Sequence, residues 1–158
     1  MRTPCLAAIL LWLAAPASGA ERVALFPFEL VNTGMLPIQA EETARLERAE
    51  ALTRERLAQA GLELADLHPL AGEIATVRSF KDCNGCDVRL ARQVNAQLVA
   101  VGWVQKVSNL ILNINLYLRD AGTGDVLVLG SVDIRGNTDE SWRRGTEYLL
   151  KHRILPAL

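Results

Sequence analysis

The sequence predicts an α+β fold, a mixed sheet packed with helices in the order β-α-β-α-β-β-β-α. Three observations carry this prediction. Residues 23–26 and 98–104 are apolar without alternation, as in strands covered on both faces. Residues 112–134 alternate apolar and polar around a glycine-rich turn, which is a hairpin pattern. Residues 40–60 and 137–155 carry apolar positions at helical spacing among many charges.

The elements follow in chain order. Arg22 to Phe28 reads as the first strand, with Pro27 ending its hydrogen-bonded part. Residues 29–39 contain Asn32, Gly34 and Pro37 and read as a loop. A helix over 40–60 puts Leu46, Ala49, Thr53, Leu57 and Ala60 on one stripe, and Gly61 is placed to end it. Glu41 with Arg45 and Glu50 with Arg54 are i,i+4 pairs in the favourable order, worth about 0.2–0.5 kcal/mol each. Leu62–Ala65 is a short second strand, and a helical turn near 72–77 interrupts an otherwise mixed stretch.

The second helix, 85–96, has Asn84 as candidate N-cap with Asp87 completing a capping-box-like pair. The strand 98–104 is the central one. In the next strand Leu112, Ile114, Leu116 and Leu118 alternate with Asn113, Asn115, Tyr117 and Arg119. Asp120–Asp125 forms the turn, and Val126, Val128, Val132 and Ile134 share a face of the last strand. Asn137 and Glu140 have capping-box spacing at the start of the final helix, which Pro156 stops.

The chain opens with a positive start at Met1-Arg2, an apolar run over Leu6–Ala15, and small residues at 18–20. This is the layout of a secretory signal peptide, 1–20, cleaved before Glu21. The run is too short before Pro16 for a bilayer span, so no stable membrane span is expected after cleavage. The remaining 21–158 is one domain's length, and the expected location is the periplasm, as a secreted protein. A formal net charge of −1, near −2 once Arg2 is lost, offers no long-range attraction for polyanions. Nucleic acid is not an expected partner.

Cys83 and Cys86 are the only cysteines after the signal, and an oxidising compartment joins them. Their place near a helix start also fits a low-pKa redox pair, but a redox motif needs a strand feeding directly into its helix. A structural disulfide pinning a loop to a helix is the simpler reading. No cofactor is expected, and no metal either, since only His68 and His152 could join the cysteines as ligands. No serine-hydrolase, zinc-protease, phosphate-loop or dinucleotide motif occurs, so no catalytic residue is assigned and the chain is expected not to be an enzyme.

Cys86-Asp87-Val88-Arg89-Leu90-Ala91, Gln97-Leu98-Val99-Ala100-Val101-Gly102 and Arg119-Asp120-Ala121-Gly122-Thr123-Gly124 together resemble a stretch of the TolB N-terminal domain and of related curli-secretion and penicillin-binding-protein-activator lipoproteins. In those proteins Gly-Ala-Asp-like residues are commoner where this chain has Asn95-Ala96-Gln97. Over 21–155 the chain also resembles a small bacterial family of secreted proteins recorded only as a domain of unknown function, through Asp133–Trp142. The resemblance implies a TolB N-terminal-domain-like fold and an envelope role by binding proteins. It implies no reaction.

The polar cluster Asp133, Arg135, Asn137, Asp139 and Glu140, with Trp142, is the candidate partner-binding surface, together with the 120–125 hairpin. Local capping and pairing of Arg135 with Asp133 or Asp139 would account for the same residues, and Trp142 fits the core. Tyr117, with Asn113, Asn115 and Arg119, marks a second candidate face, open to a partner or covered by a helix. The leading expectation is a non-enzymatic periplasmic accessory protein that binds an envelope protein partner. The alternatives are a thiol–disulfide protein using Cys83 and Cys86, and a small-molecule sensor or carrier domain serving a membrane receptor or periplasmic dehydrogenase.

Overall fold

The computed structural model describes residues 19–158. The signal peptide expected over 1–20 lies, but for its last two residues, outside them. The strands are β1 (Arg22–Leu25), β2 (Glu29–Asn32), β3 (Glu63–Leu64), β4 (Leu98–Lys106), β5 (Ile111–Asp120) and β6 (Val126–Arg135). The helices are α1 (Ala40–Gln59), α2 (Ala71–Thr76), α3 (Cys86–Gln93) and α4 (Asp139–Leu149), which runs on through wider and tighter turns to Ala157. The sheet order is β3-β1-β4-β5-β6, with β2 also on β4. β1, β2, β3 and β4 run parallel, and β4-β5-β6 is an antiparallel meander.

Helices cover both sides of the sheet, which is why the two apolar runs do not alternate. Val23 and Leu25 pack with Ala49 and Leu57 of α1 and Leu149 of α4. Ala24 and Phe26 pack with Leu70, Phe80, Leu90 and Ala91 on the other side. Each buried aliphatic side chain contributes about 1.5–3 kcal/mol of transfer free energy.

One strand goes beyond the expected order. Residues 29–32, read as loop, form β2 in register with Trp103–Lys106. Pro27 does interrupt the strand, but the chain resumes along the same neighbour. The Phe28 ring occupies the gap over Gly102, where a Cβ would stand 2.2 Å from it. That close approach requires glycine at 102. β4 accordingly extends to Lys106 rather than Val104, while the second strand shrinks from 62–65 to Glu63–Leu64.

Both expected N-caps are displaced. Gly85, in the left-handed region at φ 93°, precedes α3, and Asn84 makes no cap. Thr138 caps α4, its hydroxyl accepting from the Ser141 amide at 3.2 Å. In each case a tertiary partner claims the side chain that spacing assigned to capping: Arg119 takes Asp87, and Trp142 and Arg45 take Asn137. Finally, a bulge at Leu118/Arg119 sets Val126 opposite Arg119, so Val126 leaves the face shared by Val128, Val132 and Ile134.

Candidate functional site

The C-terminal ends of β2, β4 and β6 and the N-termini of α1 and α4 all lie at one end of the sheet. Three loops meet there, 33–39, 107–110 and 136–138. The Thr33 amide donates to the Lys106 carbonyl at 2.9 Å, Gly136 to Leu110 at 3.1 Å and Asn137 to Asn109 at 2.9 Å.

Beneath them lies a buried ion pair. Glu42 and Lys106 are each 1 % exposed, with 2.6 Å between carboxylate and ammonium. The Gln39 amide donates to Glu42 at 2.8 Å, and Lys106 Nζ donates to the Pro37 carbonyl at 3.2 Å. Burial alone would raise the Glu42 carboxyl. The bonds from Lys106, the Gln39 amide and Asn137 outweigh it and hold the group below the ordinary carboxylate range. Asn137 links this pair to α4: its Nδ2 donates to Glu42, and its Oδ1 accepts from Trp142 Nε1 at 2.8 Å and Arg45 at 3.2 Å.

Outside this buried layer the surface carries both charged and apolar side chains. Between α1 and α4 runs a groove of about 440 Å³, floored by Ala49, Leu52 and Trp142. Its charges are matched: Asp139 meets Arg45 at 2.7 Å and Arg48 at 3.1 Å, and Glu140 meets Arg143 at 3.0 Å. Arg45 holds the Asp139 carboxyl low, as Arg143 does for Glu140. The loops carry Met35, Leu36, Ile38, Val107 and Leu110, and β5 opens with Ile111; the six range from 41 % exposed to fully exposed. Large aliphatics exposed together in this way are uncommon on a protein surface.

The structure divides the expected site residues. Asn137, Asp139 and Glu140 do converge around Trp142, which is a core residue 2 % exposed and offers no surface to a partner, while Arg135 is exposed on the face of Asp133. Arg135 has no ion-pair partner among the described residues. Its expected pairing fails because Asp139 is held by Arg45 and Arg48, and Asp133 accepts from Asn113 at 2.8 Å. Asp133 shares the opposite sheet face with Tyr117. Tyr117 donates to Asp87 at 2.9 Å, and Arg119 contacts both Asp87 oxygens, so α3 covers that part of the strand. The 120–125 turn lies at the far end of β5, about 30 Å from the junction, and belongs to no common surface with it.

Sequence reasoning missed Glu42, Lys106, Arg45 and the six exposed aliphatics. Only the aliphatics left a signal, as apolar residues inside segments otherwise rich in loop formers. Cys83 and Cys86 are joined as expected, Cα to Cα 5.4 Å. Turns rather than a strand precede them, and the comparisons lend the redox alternative no support. No described helix is long and apolar enough to cross a membrane.

Comparison with solved structures shows the fold. The C-terminal domain of LpoB from Salmonella enterica superimposes with a TM-score of 0.56 at 16 % identity, covering 76 % of this chain and 86 % of that one. Lipoprotein GNA1162 from Neisseria meningitidis gives 0.54 at 16 %, covering 75 % and 82 %. The LpoB C-terminal domain from Escherichia coli gives 0.51 at 16 %, covering 77 % and 88 %. At these identities the likeness is one of fold, and it bears out the mixed α+β architecture. No curated protein matches the chain significantly in sequence. Residues 21–154 match the model of the DUF3280 family, described as Protein of unknown function (DUF2380), and the chain belongs to that family.

Proposed function

We propose that this chain is a non-catalytic accessory protein of the bacterial periplasm that docks onto an envelope protein through the end of its sheet. The observation that carries the reading is the set of six exposed aliphatics, Met35, Leu36, Ile38, Val107, Leu110 and Ile111, beside the Glu42–Lys106 pair, which anchors the 33–39 loop through the Pro37 carbonyl. An apolar surface on a fixed base loses little conformational entropy on binding, as a protein-docking patch requires. The neighbouring groove adds Leu52 and a balanced charged rim, the mixed composition of a protein interface. The fold shared with lipoprotein GNA1162 supports the location.

A photo-cross-linking residue placed at Leu110 tests this in the native envelope, with one at Thr123, at the opposite end of the sheet, as reference. A discrete adduct from Leu110 and none from Thr123 is the expected result. Adducts from neither position, or the same adducts from both, would refute docking by this end.

A further inference from the structure

The two margins of the sheet are treated unequally. β3, at one margin, is two residues long. β6, at the other, is ten, and no described strand lies on its outer side. Val126–Arg135 contains no proline and no lysine, the residues that commonly guard an edge. Val126, Leu127 and Leu129 are 57 %, 50 % and 61 % exposed.

The open face beside this edge is hollow. α3 covers the sheet only as far as Tyr117, leaving a depression of about 470 Å³ bounded by Trp103, Tyr117, Val126 and Leu129 on the sheet and by Lys81 and Asp82 on the loop before α3. The bulge at Leu118/Arg119 turns Val126 into it. Edge and hollow are therefore continuous, sharing Val126 and Leu129. On the opposite face α4 and its extension lie directly over the edge. A Cβ at Gly130 would stand 2.7 Å from Leu149 and 3.0 Å from the Arg153 Cβ. Arg153 on that extension is exposed and has no ion-pair partner among the described residues.

We propose that β6 is a strand-addition site for an extended segment of a partner protein whose residues alternate apolar and acidic. The backbone of that segment hydrogen-bonds the free side of β6. Its apolar residues fall beside Leu129 and Val126 into the hollow, and its acidic residues face Arg153. The period of two in an added strand places these two side-chain classes on the two faces. A second copy of the chain fits less well. Paired strands stand about 4.8 Å apart, so edge-to-edge pairing would crowd two α4 helices that need about 8–10 Å between axes. This site is separate from the sheet-end surface, and Leu110 cross-linking is indifferent to its outcome.

The probe is the peptide acetyl-Thr-Val-Glu-Leu-Glu-Val-Thr-Val-amide, added to the disulfide-bonded protein while backbone amide exchange is followed residue by residue. Saturable slowing of exchange confined to Val126–Asp133 is expected. Alternate N-methylation of the peptide, replacement of its glutamates by lysine, Leu129→Lys and Arg153→Glu should each weaken binding about tenfold. Both substituted side chains are exposed, so the variants keep the fold. Equal binding of the N-methylated peptide would reduce the site to apolar adhesion, and equal binding of the lysine peptide would remove the acidic specificity. A dimer with β6 amides protected in the absence of peptide would assign the edge to a second copy. No protection at about 1 mM peptide would dismiss strand addition. Each of these four results overturns the proposal.

Discussion

Glu42 and Asp87 are both buried carboxylates in the first turn of a helix, one on each side of the same sheet, yet they are held differently. Glu42 keeps a local role, accepting from the Gln39 amide, and adds a lysine that is itself fully buried. Asp87 has no capping partner and is spent on tertiary structure. It takes two bonds from Arg119 and one from Tyr117, and Arg119 is 23 % exposed and also donates to the Gly124 carbonyl. Burial and the Asp87 carboxylate push the Tyr117 phenol above its ordinary range, so it stays a donor. A carboxylate in the first turn of a helix thus does different work according to what the sheet sets opposite. Of the two pairs, only Glu42–Lys106 is dry on both sides.

The largest effect therefore belongs to that pair. Lys106→Met leaves the Glu42 carboxylate buried without its cation and should lower the unfolding free energy by about 3–5 kcal/mol. Glu42→Gln combined with Lys106→Met should recover much of the loss, because no unpaired charge is then buried. Denaturant unfolding of the three proteins measures this, and a double variant no better than Lys106→Met would show that the cost lies in packing. Acid sharpens the test. The folded Glu42 carboxyl lies below its unfolded value, so its contribution is complete above the ordinary glutamate value of about 4.3 and is lost as pH falls below it. In Lys106→Met burial opposes only the bonds from the Gln39 amide and Asn137; the group rises above its unfolded value, the folded state takes up the proton first, and this group's contribution grows rather than falls as pH drops. Denaturation midpoints measured from pH 7 to pH 3 separate the two curves.

Asp87→Asn comes second, at about 2–3 kcal/mol. An amide keeps one acceptor for Tyr117 or Arg119 but not the two-oxygen contact. The partly exposed Arg119 reaches water, which limits the damage. A loss as large as that of Lys106→Met would mean that both pairs are equally dry, contrary to their exposures.

This contrast also explains what could be read before the fold was seen. Elements encoded by period were legible. The stripe Ala49-Thr53-Leu57, the unbroken Leu98–Val101 run and the alternation over Leu112–Leu118 all behave as their spacing requires. β2 was not legible, because Glu-Leu-Val-Asn has no strand pattern of its own and becomes a strand only by pairing with Trp103–Lys106. Lys106 was hidden for a related reason. Lysine is rarely buried, so a lysine after Gln105 reads as a strand ending in solvent. Asp133 and Asn137 are close in sequence, yet Asp133 belongs to the face shared with Tyr117 while Asn137 joins the Trp142 network. Only the strand's alternation and the chain reversal after it separate them.

The smallest effect comes from the caps, where local spacing and tertiary demand competed most directly. Thr138→Ala removes the hydroxyl that accepts from the Ser141 amide and leaves that donor to water, at a cost of about 1 kcal/mol. Asn84→Ala removes no cap. Its cost comes instead from the backbone, since Asn84 sits at φ 53°, a conformation asparagine tolerates better than alanine. Asn84→Gly relieves that requirement and should match or exceed the parent in stability. The pair of substitutions at Asn84 therefore distinguishes the two roles. A side-chain cap would be weakened by glycine and alanine alike, whereas a left-handed turn residue is hurt by alanine and spared by glycine. Thermal unfolding midpoints for Asn84→Ala, Asn84→Gly and Thr138→Ala decide it, and a drop in Asn84→Gly as deep as in Asn84→Ala would restore Asn84 as the cap of α3.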